Sequence, residues 1–407
     1  MSGASQVGSC DAVHGYVAGI CFKTGPPVTV GAELEWLVAS PHDPLRPVPI
    51  DLLRSVLAEA GPVPGGSTVT FEPGGQLELS SPPAFGVAAC WKGLQSDISH
   101  VEQVLADAGL ALLWTAIDPY RQARRQLSHP RYDAMEAYFD RRGPEGRMMM
   151  CSTAAIQVNL DAGGDRADVA RRWRLLHAIG PALVAAFANS PRYAGHATGW
   201  KSTRQAVWQR LDPRRTRAPD GLDPVVAWAD YALDAPLMLQ RIGVQRWVTD
   251  PGVTFRQWVD GNGHHARPFV TDLDYHLTTL FPPVRPRGWF EVRYIDAQPA
   301  AYWPVPVAVL SALVADPAAG EQVLAVTEPV ADAWLTAART GLADDGLARA
   351  ARCCFETAIE GLLRDGVDPA LVELVESYHD RYVRRRRCPA DDDLAPLTLL
   401  SAKEALA

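Results

Sequence analysis

One stretch of this chain leaves little choice of fold: Thr68-Val69-Thr70-Phe71-Glu72-Pro73-Gly74-Gly75-Gln76-Leu77-Glu78-Leu79-Ser80. A β-branched and aromatic run halts at Pro-Gly-Gly and resumes with strict alternation of polar and apolar residues, which predicts a tight antiparallel hairpin. Neighbouring strand residues point to opposite faces, so Leu77 and Leu79 take a core face and Glu78 the other. Glu72 ends the incoming strand, which leaves two carboxylates at the heart of the turn. Solubility alone requires no acids there.

Two more segments repeat the pattern. In Val30-Gly31-Ala32-Glu33-Leu34-Glu35-Trp36-Leu37, Glu33 and Glu35 share one strand face, with Leu34 and Trp36 on the other; in Gly288-Trp289-Phe290-Glu291-Val292-Arg293-Tyr294, Glu291 and Arg293 project together. Any one of these pairs alone reads as the wet face of a sheet. Three such strands predict a common acidic surface. Crowded carboxylates hold one another's pKa values up unless cations neutralise them, and clustered hard oxygens suit magnesium. Glu33, Glu35, Glu72, Glu78 and Glu291 are therefore the candidate ligands of a divalent metal.

Charge narrows the partners. Lys and Arg number 39 against 47 Asp and Glu, a formal net charge of -8, which argues against broad binding to nucleic acid or an anionic membrane. The seven cysteines are odd in number and form no Cys-x-x-Cys pair, so they read as reduced thiols rather than a zinc site or a disulfide framework. The first residues lack a secretory signal, and no apolar run reaches the ~18 residues of a spanning helix. The expectation is a soluble cytoplasmic protein.

Along the chain, residues 1–28 read as an irregular extension, partly disordered, leading into the first strand. Helices are predicted over 50–60, 85–108 and 167–188, and a buried strand over 110–117. Ser128 to Met135 reads as a loop opening a helix. Met148 to Met150 read as core filler at a strand entrance. Thr153 to Asp161 alternates cleanly, with Gln157 and Asn159 on its polar face. The Arg- and Trp-rich stretch from Gly199 to Thr216 contains Arg204, a planar guanidinium suited to meet a carboxylate bidentately; Arg210, Arg214 and Arg215 either meet phosphates or have no functional partner. His264-His265 falls in a Gly-rich loop read as exposed. Beyond Pro304 the pattern is helical, with segments near 306–315, 319–340, 346–365 and 367–386.

Glu33-Leu34-Glu35, the stretch from Glu72 to Ser80, Ile156 to Asp161, His276 to Pro282 and Glu291-Val292-Arg293 together resemble, in order, the glutamate–cysteine ligase family of the plant and proteobacterial type. The chain is most similar to that family's shorter actinobacterial branch. The resemblance implies an α+β fold: an antiparallel sheet forming an active-site cleft flanked by helices, a glutamine synthetase-like catalytic core. It divides the chain into an extension (1–28), a catalytic core (29–304) and a helical C-terminal region (305–407). It also implies ATP-dependent joining of the L-glutamate γ-carboxylate to the amine of L-cysteine through a γ-glutamyl phosphate, in ergothioneine biosynthesis, with magnesium on the five glutamates. By the same resemblance Arg131 and Tyr132 lie on the loop holding substrate glutamate, Gln157 faces the metal-bound nucleotide, Arg204 takes the glutamate α-carboxylate, and Arg293 and Glu78 are catalytic. The alternatives are a ligase of this fold with another amine acceptor and a catalytically silent metal-binding scaffold.

Overall fold

Alternating strands of this kind bury one face only when they pair, and the computed structural model of the chain pairs eight of them. It describes residues 5–242, 246–262 and 266–392; His264 and His265 lie outside the described residues. The strands of the main sheet are β1 (Thr29–Ala39), β2 (Thr68–Phe71), β3 (Leu77–Ser80), β4 (Ala84–Phe85), β5 (Ala111–Leu113), β6 (Ala155–Asp161), β7 (Val284–Pro286) and β8 (Trp289–Asp296). They run in the order β7-β8-β6-β1-β3-β2, with β4 and β5 joined to the two ends of the long β1. Every pairing is antiparallel.

The β2–β3 hairpin is built as its sequence predicts. Phe71 pairs with Leu77 and Thr70 with Glu78. Gly75 turns the chain at φ +88°, a conformation that side-chain-bearing residues avoid. Gly74 answers a different need: a Cβ there would lie 2.2 Å from the carbonyl oxygen of Cys151, so the turn presses directly on that backbone.

Leu34, Trp36, Leu77, Leu79, Ile156 and Val158 point away from the acids into one continuous core. The long helix Val87–Asp107 and the C-terminal helices Pro304–Ala315 and Asp345–Arg364 pack into the same core. The change of sequence texture at Pro304 therefore marks no second core. Among the described residues no single helix is long and apolar enough to cross a membrane.

The pairing of β8 with β6 is irregular at one point. Glu291 and Val292 of β8 pair with Asn159 and Val158 of β6, yet Ile295 pairs with Ile156, so Arg293 and Tyr294 together face Gln157. An extra residue of this kind shifts the facing of everything after it. Arg293 stays with Glu291, Ile295 drops into the core, and Asp296 moves to the acidic side opposite Ala155.

Several expectations are corrected. The supposed irregular extension holds a helix, Cys10–Cys21, capped by the Ser9 hydroxyl and burying Val13, Val17 and Cys21; Gly15 and Gly19, on its exposed side, weaken the helical signal in the sequence. The helix expected over 167–188 is two, Arg166–Ala178 and Gly180–Phe187, because Pro181 cannot donate to the preceding turn and Gly180 sits against the Trp334 ring, where a Cβ would come within 2.1 Å. The strand expected over 110–117 shortens to Ala111–Leu113. Met148 to Met150 fill core space, but from the helix Glu145–Ser152 rather than at a strand entrance. The helix expected over 319–340 breaks into Pro317–Thr327 and Trp334–Thr340, with Pro329 in the break.

Candidate active site

Register brings the acids together. On the face of the sheet away from the core Glu35 of β1 lies opposite Glu78 of β3, Glu33 opposite Gln157 of β6, and Glu291 of β8 opposite Asn159 of the same β6. Glu72 joins them from the hairpin turn. The neutral amides between the strands order the carboxylates: Asn159 donates to Glu33 at 3.1 Å, and Gln157 to Glu35 at 2.9 Å. The Ala155 amide fixes the other Glu35 oxygen at 2.9 Å, while the Thr70 and Ser80 hydroxyls donate to Glu78 at 2.7 and 3.0 Å.

The acidic end is short of counter-charge: Arg293, Arg204 and Arg131 act on it without outweighing burial and mutual repulsion. Burial raises the pKa of Glu33, and Glu291 and Glu78 add to it. Burial also raises Glu35, reinforced by Glu72 and Glu78, and raises Glu72, reinforced by Glu78. These are half-buried acids facing acids, short of cations. Among the described residues no three His, Cys, Asp or Glu side chains are drawn into a chelating group. The donor set of Glu33, Glu35, Glu72 and Glu78 nonetheless suits a hard divalent cation: oxygens only, on one face, each disfavouring its neighbour's charge.

Glu291 is different. It is fully buried, and both its oxygens are taken: Arg285 donates at 2.7 and 3.1 Å, Arg287 at 2.9 Å and Arg293 at 2.7 Å. Burial alone would raise its pKa, but Arg285, Arg293 and Arg287 overcome this and hold it below the ordinary carboxylate range. It is an arginine-clamped anion, not the open oxygen donor its strand pattern suggests. Arg285 and Arg287 belong to β7 and the turn after it, which periodicity did not reveal; the signal was Val284-Arg285-Pro286-Arg287-Gly288, alternating basic residues before a turn glycine.

The remaining candidates gather at the same face. Arg293 donates to Gln157 as well as Glu291, and its buried Nε has no hydrogen-bond partner. Arg204, on the helix Thr203–Leu211, is 2% exposed; its Nη2 donates to the Arg293 carbonyl at 2.7 Å, while Nε and Nη1 have no hydrogen-bond partner. The nearest acid is Asp296, 3.7 Å from Nη1. Asp296 accepts from the Asn189 amide and from the hydroxyls of Ser190 and Ser202, at 2.8 to 3.0 Å. The β8 bulge, by turning Asp296 this way, thus anchors the segment that carries Arg204. Arg131 and Tyr132 open the helix Pro130–Phe139 close enough to Glu72 for each to interact with it electrostatically.

Arg215, by contrast, is internal, paired with Asp212 at 3.2 Å and donating to Thr279. Arg210 lies over the Trp200 ring. His276, whose pKa burial lowers to about 3, donates from Nε2 to the Ala232 carbonyl inside the core. Two cavities of about 490 Å³ each flank the sheet, one under the Gly74-Gly75 turn and one beside β7.

Residues 29–392 match the model of glutamate-cysteine ligase family 2. The glutamate–cysteine ligase EgtA of Mycolicibacterium smegmatis is 43% identical over 395 residues, covering 94% of this chain and 90% of its own. The Mycobacterium tuberculosis H37Rv protein of the same name is 44% identical over 399 residues, covering 95% and 90%. The chloroplastic glutamate–cysteine ligase of Arabidopsis thaliana is 30% identical over 359 residues, covering 78% and 67%. Among solved structures, a glutamate–cysteine ligase from Francisella tularensis in complex with AMP superposes with a TM-score of 0.50 at 13% identity, covering 91% of this chain and 85% of its own. A bifunctional glutathione synthetase from Pasteurella multocida gives 0.53 at 15%, covering 94% of this chain and 51% of that one. Those two likenesses carry the fold alone, and it is the glutamine synthetase-like sheet with a helical C-terminal region. With a match spanning residues 29–392 and kinship along almost its full length, the chain belongs to glutamate-cysteine ligase family 2.

Proposed function

We propose that this protein is an ATP-dependent glutamate–cysteine ligase of the cytoplasm, making γ-glutamylcysteine for ergothioneine biosynthesis. The observation that carries the reading is the juxtaposition, on one sheet face, of four clustered carboxylates with two arginines that hold buried, unpaired donors. Such a face matches a substrate set that is itself anionic: the carboxylates of glutamate and the phosphates of ATP.

Forming an amide from a carboxylate at neutral pH requires its oxygen to become a leaving group. An oxygen of the glutamate γ-carboxylate attacks the γ-phosphorus of ATP, and ADP departs. The free amine of cysteine then adds to the acyl carbon, phosphate leaves with the C–O electron pair, and the nitrogen loses a proton. No protein nucleophile is needed, so catalysis rests on positioning and on charge.

Arg204 offers its free Nε and Nη1 to the α-carboxylate of glutamate, backed by Asp296. Arg131 and Tyr132 close over the glutamate from the loop side. Gln157 holds Glu35 and Arg293 in place and presents the nucleotide-facing edge. Arg293 directs its unpaired Nε at the transferring phosphoryl group. Glu33, Glu35, Glu72 and Glu78, with Glu291 once its arginines let go, would hold magnesium, which would neutralise phosphate charge there.

Phosphate release from ATP with magnesium, glutamate and each of several amines, followed by product analysis, tests the proposal. A cysteine-dependent rate yielding γ-glutamylcysteine is expected. A rate with some other amine alone reassigns the acceptor, and no turnover with any amine leaves the silent scaffold.

A further inference from the structure

The cavity of about 490 Å³ beside β7 is a groove lined by Arg131, Arg285 and Arg287 together with Trp228 and Leu277. Asp274 also lines it, and one of its oxygens accepts from the Tyr16 hydroxyl at 2.7 Å. Its arginines also act on acids of the neighbouring sheet face: Arg131 on Glu72 electrostatically, and Arg285 and Arg287 on Glu291 through ion pairs. Three guanidiniums meet this one carboxylate, three positive charges against one negative, a surplus of two. Arg287 is half-exposed, and among the described residues its one side-chain hydrogen bond is to Glu291. A surplus of forked donors on a groove wall matches a ligand with several anionic oxygens. The acid beneath it, meanwhile, has no free lone pairs to lend a cation.

We infer that Arg285 and Arg287 bind the polyphosphate of a nucleoside triphosphate lying in this groove, exchanging Glu291 for phosphate oxygens, and that the exchange frees the Glu291 carboxylate to face the divalent cation. The inference rests on the ligase reading, which supplies the nucleotide. Its consequence is reciprocal coupling, since nucleotide and cation each remove a partner that holds the other's ligand.

The test is calorimetric titration of the full chain with a non-hydrolysable ATP analogue, and separately with Mn²⁺, for wild type, Arg287→Ala and Arg287→Lys, with thermal melts as the folding check. Without metal, Arg287→Ala weakens the analogue by about tenfold or more, the loss of a charge-assisted hydrogen bond. Arg287→Lys recovers part of the loss, and adenosine binds all three proteins alike. Mn²⁺ alone binds Arg287→Ala more tightly than wild type, because Glu291 has one competitor fewer. If the alanine variant fails to fold, the lysine variant carries the same comparison in the same directions. Unchanged analogue affinity in a folded variant, or weaker Mn²⁺ binding, overturns the inference and leaves the ligase reading standing; a wild type that binds no analogue with or without Mn²⁺ overturns both.

Discussion

Arg285 and Glu291 face each other across the β7–β8 hairpin, directly paired in register, and meet through two parallel hydrogen bonds of 2.7 and 3.1 Å. Glu291 is wholly buried and the Arg285 side chain is 14% exposed. Two further arginines lean on the same acid, so the arginine end of the site is held together by Glu291.

Glu291→Gln should therefore destabilise the protein as well as silence it. Removing one member of a buried ionic group leaves the others uncompensated, at a cost of about 3–5 kcal/mol. Denaturant unfolding of the purified variant should show the loss; a stability equal to wild type would mean that the clamp is not closed in solution.

Glu78→Gln should behave in the opposite way. Glu78 is only half-buried, its hydrogen-bond partners are hydroxyls that an amide also satisfies, and among the described residues no arginine forms an ion pair with it. Stability should stay within about 0.5 kcal/mol of wild type, while kcat falls on the order of a thousandfold through lost cation binding. Near-normal turnover in folded Glu78→Gln would remove it from the site.

Arg204→Ala should act on the glutamate requirement. Its Nε and Nη1 are buried without a hydrogen-bond partner, and a bidentate charge-assisted pair with a carboxylate is worth roughly a hundredfold in binding. The KM for glutamate should rise by about that factor with the KM for ATP little changed. The reverse pattern would assign Arg204 to the nucleotide.

How much of the site is legible in the sequence depends on period and on register. Glu33, Glu35, Glu78 and Glu291 were legible because period-2 alternation fixes which side of a strand a residue faces, and the Pro73-Gly74-Gly75 turn fixed one pairing. Their convergence was legible only through the family's motif order, since sequence alone does not align β1 with β6. Arg285 and Arg287 escaped because β7 has three residues, too few for any period. The role of Asp296 escaped for a subtler reason: strict alternation from Glu291 puts it on the core side, and only the bulge at Arg293 and Tyr294 turns it round. The helix Cys10–Cys21 was missed because its buried positions are spaced four apart among glycines.

Magnesium should stabilise the protein more as pH rises. Glu33, Glu35 and Glu72 have pKa values raised above their ordinary value of 4.5, first by burial and then by neighbouring acids. The folded state thus holds protons that the unfolded state has released. Stability from these groups is fully present below about pH 4.5 and is lost as pH climbs through their folded values. Buried His177 and His276, lowered to about 4 and about 3 by burial, pull the other way below their ordinary value of 6.5, so a bare melting curve mixes the two effects. The increment that magnesium adds separates them, because a cation replaces the protons on the acids and leaves the core histidines alone. Melting temperatures with and without the metal, compared between about pH 5 and about pH 8, should diverge as pH increases, and Glu72→Gln should flatten that divergence. An increment independent of pH would mean that the carboxylates of this face are already neutralised from within the protein.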